Sequence, residues 1–231
     1  MRNKKRGIYA RCIKRMLDIL LSGLALIVLS PVLLVVAVLV RVKLGSPVIF
    51  CQMLHFFEHE IPKLLPNPWV RAAAGGAAVV ALSYLMGVGR YNGAGMDVIM
   101  DAVELEQALP WDFVCKMVLT VLTLSVGFKG GEVVPSFYIG ATFGCVVGPL
   151  LGLPAGFSAA VGLVCVFCGA TNTLVASIVL AAELFSGAGF ELMALACGLS
   201  YMFSGYHSLY SSQGFRTSKL FSEFLQPKEE K

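Results

Sequence analysis

The chain has 231 residues, 57% of them hydrophobic and 14% charged, with a formal net charge of +4 and a mean hydropathy of +0.79. These values exclude a soluble globular protein and identify an integral membrane one, with room for about six to eight segments of the ~20 residues that cross a bilayer. The charge is uneven. Arg2, Lys4, Lys5, Arg6, Arg11, Lys14 and Arg15 all precede the first acid, Asp18, which places the N-terminus on the cytoplasmic side of a cell (inner) membrane protein. Because this cluster abuts a membrane segment, a nucleic-acid partner is the weaker reading, and the apolar run Met16–Val40 is too long for a cleaved signal. The seven cysteines lie mostly inside apolar runs; Cys165 and Cys168 have C-x-x-C spacing but no further ligand near them, so they read as packing residues, and no metal or cofactor is expected.

The first apolar run, "KRMLDILLSGLALIVLSPVLLVVAVLVRVKLGSPVIFCQ", is broken by Ser30-Pro31, where proline removes a backbone donor and kinks a helix. Basic residues flank it on both sides, Lys14 and Arg15 before, Arg41 and Lys43 after, which suits a re-entrant hairpin with both ends cytoplasmic; an ordinary kinked transmembrane helix is the alternative. The pattern K-R-x-x-D, Ser-Pro, then G-S-P-V-I-F-x-Q resembles the membrane anchor of the monotopic polyprenyl-phosphate phosphoglycosyl transferases, the bacterial sugar transferases. The resemblance covers residues 1–52 and includes no catalytic domain, so no enzyme activity is expected.

From Met53 on, the organisation is polytopic. A piece with His55 and His59 one turn apart comes first, read as a juxtamembrane helix in preference to a zinc site. A helix from about 68 to 88 follows, then an acidic loop, "GRYNGAGMDVIMDAVELEQALPWD". Apolar segments resume at about 112–128, 135–152, 156–168, 173–185 and 190–204, several too short to span alone. Short, Gly/Pro-broken segments are how membrane proteins place helix ends at a buried cavity.

The most informative stretch is "GFKGGEVVPSFYIGATFG", residues 127–144. Gly130 and Gly131 allow close backbone approach, and Pro135 suits a first helical turn. A helix starting there presents free N–H groups and the positive end of its dipole, an anion site that needs no basic side chain. Gly140, Gly144, Gly148 and Gly152 then recur every four residues as a stripe for helix packing; a turn serving packing alone is the bland alternative. Glu183, in an apolar segment, reads as a buried acid, either on an ion pathway or structural.

The turn resembles the G-x-x-x-P anion-binding turn of the voltage-gated chloride channel (CLC) family. "KMVLTVLTLSVGFKGGEVVPSFYIGATFGCVVGPLLGLP", "VGLVCVFCGATNTLVASIVLAAELF" and "GYHSLYSSQ" are similar, in order, to the later helices of that fold. The resemblance implies an all-α integral membrane protein: a CLC-like second inverted repeat with short, broken helices over residues 53–231, behind the hairpin of 1–52. It implies a chloride channel or chloride/proton antiporter, with chloride as the carried ligand and no cofactor. It places Gly131, Glu132, Val133, Val134 and Pro135 at the anion, with the amides of Glu132 and Val133 facing it and the Tyr210 hydroxyl contributing. It also implies a homodimer in the lipid bilayer. The usual turn has phenylalanine where Val133 stands, and Glu132 adds a carboxylate that competes for the amides or points to water. The family's first-half turns, including the one with the gating glutamate, do not occur in residues 1–52. Transport is therefore expected to be incomplete without a separate chain supplying that half; a sugar-transferase fragment or an inactive fusion is the alternative.

Overall fold

The computed structural model describes residues 45–87, 89–206 and 208–210, together with Gln213 and Lys219, all within one unit that begins at Leu44. The expected hairpin around Ser30-Pro31, and the side of the membrane on which its ends lie, fall outside the described residues.

The described residues form helices and no strand: α1 Gly45–Leu64, α2 Pro68–Met86, α3 Met96–Glu104, α4 Asp112–Ser125, α5 Val133–Leu150, α6 Ala155–Thr171, α7 Leu174–Leu184 and α8 Phe190–Phe203. The helix α1 runs unbroken through the expected boundary at 52/53. Local chemistry fixes the ends of α2: the Asn67 side chain accepts from the Trp69 amide at 3.0 Å, Pro68 occupies the first helical position, and Gly87 closes the helix at φ 101°. α4 to α8 match the expected apolar segments to within one helical turn. Among the described helices, only α2 and α5 are both long and apolar enough to cross a membrane; α3 and α7, at 9 and 11 residues, are too short to cross one.

The acidic loop contains a helix that the sequence reading did not anticipate. Val98, Ile99 and Ala102 of α3 lie on one face and are buried, whereas Asp97 and Glu104 are exposed, so a three-residue apolar face holds the helix on the core beneath a polar surface.

The α5–α6 pair is the centre of the fold. A Cβ on Gly140 would overlap the carbonyl oxygen of Gly162, and one on Gly144 that of Ser158, so the backbones touch directly. The glycine stripe ends at Gly148. Gly152, expected to continue it, lies in the turn after α5 at φ 74° with nothing within 4 Å of its would-be Cβ. Around the pair, Tyr138, Val164, Cys168, Met193 and Cys197 form the buried core. Cys165 and Cys168 serve packing: the Ser200 hydroxyl donates to the Cys165 carbonyl at 2.7 Å, and the Cys168 thiol donates to the Cys197 carbonyl at 3.4 Å.

Glu183 is a correction. α7 packs through Ser177 and Ala181, one turn apart, and Glu183 stands two residues beyond, on the opposite side of the helix. Its side chain is exposed rather than buried. The outer faces of α7 and α8 are strongly apolar, with Val175 75% and Leu192 58% exposed; such a surface suits lipid or a second apolar face rather than water.

Candidate functional site

The turn 127–132 leads into α5 with the geometry expected of an open helix N-terminus. Glu132 is the N-cap residue at φ −97°, and its side chain makes no cap hydrogen bond. The first bond of the helix runs from the Ser136 amide to the Glu132 carbonyl at 3.2 Å. Pro135 has no N–H, so the amides of Glu132, Val133 and Val134 are the unsatisfied donors, and among the described residues none of them has a partner. The neighbouring helix behaves differently: the Gly156 amide in the first turn of α6 donates to the Glu106 carboxylate at 3.2 Å. One N-terminus is closed by an acid of the protein, and the other is left open.

Gly130, Gly131, Val134 and Pro135 form one wall of a cavity of about 510 Å³. Lys116, Thr120 and Thr123 of α4 form another, and the loop Tyr91–Ala94 a third. This loop is held by a buried polar network. The Asp112 carboxylate accepts from Arg90 Nε at 3.1 Å and Nη2 at 2.7 Å, from the Tyr91 hydroxyl at 2.8 Å and from the Leu109 amide at 2.9 Å. With its charge matched by Arg90, Asp112 leaves none for Lys116. Lys116, only 2% exposed, donates instead to the carbonyls of Tyr91 at 3.0 Å and Gly93 at 2.6 Å and lies 5.0 Å from the centre of the Tyr138 ring. Carbonyls and a ring face satisfy the donors without cancelling the charge, so the cavity that Val134 helps to line also holds an ammonium with no carboxylate partner. Lys116 was not singled out from the sequence. The signal was there, because a lysine inside "DFVCKMVLTVL" is an ionisable residue in an apolar helix.

Glu132 is half-buried beside the turn. Burial raises its carboxyl above the usual carboxylate range; Glu58 adds to the rise and His55 opposes it. Tyr210 does not line the cavity, and its side chain is 48% exposed. Its segment is fixed by the Leu209 amide, which donates to the Ala170 carbonyl at 2.8 Å, and by His55 of α1, which bonds the Ser208 carbonyl at 2.8 Å. The structure thus brings Gly131, Val134 and Pro135 to one cavity with Lys116, places Glu132 at a second cavity beside the same turn, and leaves Val133 and Tyr210 off the lining of both. Among the described residues, no group of three or more His, Cys, Asp or Glu side chains is placed to hold a metal ion.

The family model "Voltage gated chloride channel" matches residues 10–205. The chain belongs to the voltage-gated chloride channel family. The match starts well before the 52/53 boundary and so takes in most of the segment expected to be a sugar-transferase-like anchor. The chain is 41% identical over 177 residues to a protein of Pseudomonas syringae pv. tomato (strain ATCC BAA-871 / DC3000) described as a "Chloride/fluoride channel protein", covering 74% of this chain and 39% of that one. It also resembles the crystal structure of a CLC-type fluoride/proton antiporter, with a TM-score of 0.74 and 36% identity over 78% of this chain and 46% of that chain. The chain therefore spans less than half the length of the CLC proteins it matches. Its all-helical architecture is that of the CLC fold.

Proposed function

We propose that this chain forms part of the route by which a halide, chloride or fluoride, crosses the membrane, and that it acts with the remaining part of a CLC protein. The observation that carries the reading is the open N-terminus of α5: the amides of Glu132, Val133 and Val134 have no partner among the described residues, and Val134 lines a cavity with Lys116. Helix-end amides and a fixed cation both favour a small anion. Gly131 and Pro135 shape the turn, the Tyr210 hydroxyl contributes from the segment that α1 holds, and Glu183, exposed on α7, serves either the pathway or a structural role against the remaining part of the protein. The basic cluster of residues 2–15 sets a cytoplasmic N-terminus in a multi-pass inner-membrane protein, and the apolar faces of α7 and α8 meet a second copy in a homodimer. No cofactor and no catalytic step enters this reading.

The relatives named as a channel and as an antiporter are longer than this chain, so the donors here make up one side of a halide cage. Each missing hydrogen bond to a charged group costs about 1.5–3 kcal/mol, and losing two of them weakens binding by about a hundredfold or more. Liposomes containing this chain alone should show no halide efflux above background. Co-reconstitution with a first-half CLC fragment should restore a flux that Tyr210→Ala or Gly131→Leu alters. Robust efflux from the chain alone, insensitive to both substitutions, would overturn the reading.

A further inference from the structure

A second cavity, of about 400 Å³, also borders the turn, with Glu58 of α1, Lys129 and Glu132 among its lining residues. His55 stands one turn before Glu58, and its two ring nitrogens have different neighbours. Nε2 is 2.8 Å from the Ser208 carbonyl oxygen. That oxygen can only accept, so Nε2 carries a hydrogen and donates it. In the neutral ring Nδ1 is then a bare lone pair, and it lies 3.7 Å from Glu58 Oε2, itself an acceptor once ionised. Two acceptors facing each other repel until a proton is placed between them.

We propose that His55 and Glu58 form a proton-binding pair that is coupled to Glu132 at the head of α5. A hydronium ion gives its proton to the Nδ1 lone pair, an N–H bond forming as an O–H bond breaks, to leave an imidazolium cation and water; the reverse step returns the proton to water and regenerates the neutral ring. The Ser208 carbonyl selects the tautomer, so it determines which nitrogen takes the proton. Among the described residues, Cys51, His59 and the ion-paired Glu60 and Lys63 share α1, Lys129 and Glu132 belong to the turn, and Arg71 of α2 bonds the Val126 carbonyl. On α4, Asp112 and Lys116 are engaged with the 90–93 loop, and α6 carries no acid or base beyond its cysteines.

With the proton bound, a cation stands among the carboxylates of Glu58 and Glu132. It also makes a charge-assisted bond to Ser208, two residues before Tyr210. Without it, Glu58 and Glu132 face a shared cavity with Lys129 as its cation. Proton occupancy therefore changes both the field at the open amides and the grip on the 208–210 segment. Its meaning for transport rests on the anion-site reading, but the proton site can be tested alone.

The test is a pH titration of ¹⁵N-histidine-labelled chain in micelles, with the His55 signal assigned by its loss in His55→Gln. The neutral form should be the Nε2–H tautomer. Glu58→Gln should lower the proton affinity of His55 by about two- to fivefold, the range for a partly exposed pair, and Glu132→Gln should lower it by a smaller factor. In the unsubstituted chain, about 1 M gluconate salt should lower it as well, because exposed charges are screened over about 3 Å at that strength; this measurement serves even if a variant does not fold. An Nδ1–H neutral tautomer, a titration unmoved by Glu58→Gln or one unmoved by salt overturns the pair, and one unmoved by Glu132→Gln overturns the coupling. No halide is needed, so absence of flux in the liposome experiment would sink the anion pathway and leave this result standing.

Discussion

Arg90 and Asp112 meet through two parallel hydrogen bonds, 3.1 and 2.7 Å long, that tie the loop after α2 to the first turn of α4. The Asp112 carboxylate is fully buried, the Arg90 side chain is about one-third exposed, and the Tyr91 hydroxyl and Leu109 amide complete the carboxylate's shell. This arrangement brings the Tyr91 and Gly93 carbonyls to Lys116, so one buried carboxylate indirectly positions the cation at the cavity.

Asp112→Asn should therefore be among the most damaging single changes. It keeps the shape but strands Arg90, and breaking a buried pair by removing one partner costs about 3–5 kcal/mol. Thermal unfolding in detergent should show a large loss of Tm. A variant within a degree of the parent would show that the network is dispensable.

The α5–α6 contact gives a paired prediction. Gly144→Ala places a methyl against the Ser158 carbonyl and must push the helices apart, whereas Gly198→Ala on α8 meets nothing within 4 Å. The first should lower folded yield and stability by about 1–3 kcal/mol, as overpacking does. The second should be neutral or stabilise by about 0.4–1 kcal/mol through reduced backbone freedom. Size-exclusion profiles and unfolding midpoints would check both, and equal effects would refute backbone contact at Gly144.

The contrast also shows which parts of the molecule were legible in the sequence. Long apolar runs punctuated by glycine and proline gave α2 and α4–α8, because in these helices most positions are apolar. α3 was missed because three buried residues hold it and acids surround them. The turn 130–135 was legible because its chemistry is local. The setting of Lys116 was not, since its two carbonyl partners lie 25 and 23 residues earlier and only tertiary folding brings them near. Glu183 misled because apolar neighbours in sequence do not determine which face of an 11-residue helix is covered.

Glu132 predicts a pH dependence. Its carboxyl is raised in the folded state, first by burial and then by Glu58. A carboxyl raised on folding binds its proton more tightly in the native state, so stability is fully present below the unfolded value. It is lost as pH rises through the folded one. Unfolding midpoints should therefore fall as pH rises from the ordinary carboxylate range, near 4.3 for glutamate, towards neutrality. Glu132→Gln should flatten that slope. A slope unchanged by the substitution would assign it to other acids.

Lys116→Met separates the structural and electrostatic roles of the buried ammonium. Losing the donors leaves the Tyr91 and Gly93 carbonyls unsatisfied, at about 1–3 kcal/mol each, but it also removes the cost of keeping a charge away from water, which is of similar size. Stability should thus change little. On the proposed reading the anion effect has no such offset: at an effective dielectric near 20, a unit charge contributes on the order of a few kcal/mol to an anion bound in the same cavity. Halide affinity of the chain reconstituted with its complementary half should then fall by about a hundredfold in Lys116→Met and much less in Lys116→Arg, which keeps the charge. If Lys116→Met folds and binds halide as tightly as the parent, the ammonium only braces the 90–93 loop, and the open amides of α5 must hold the anion without it.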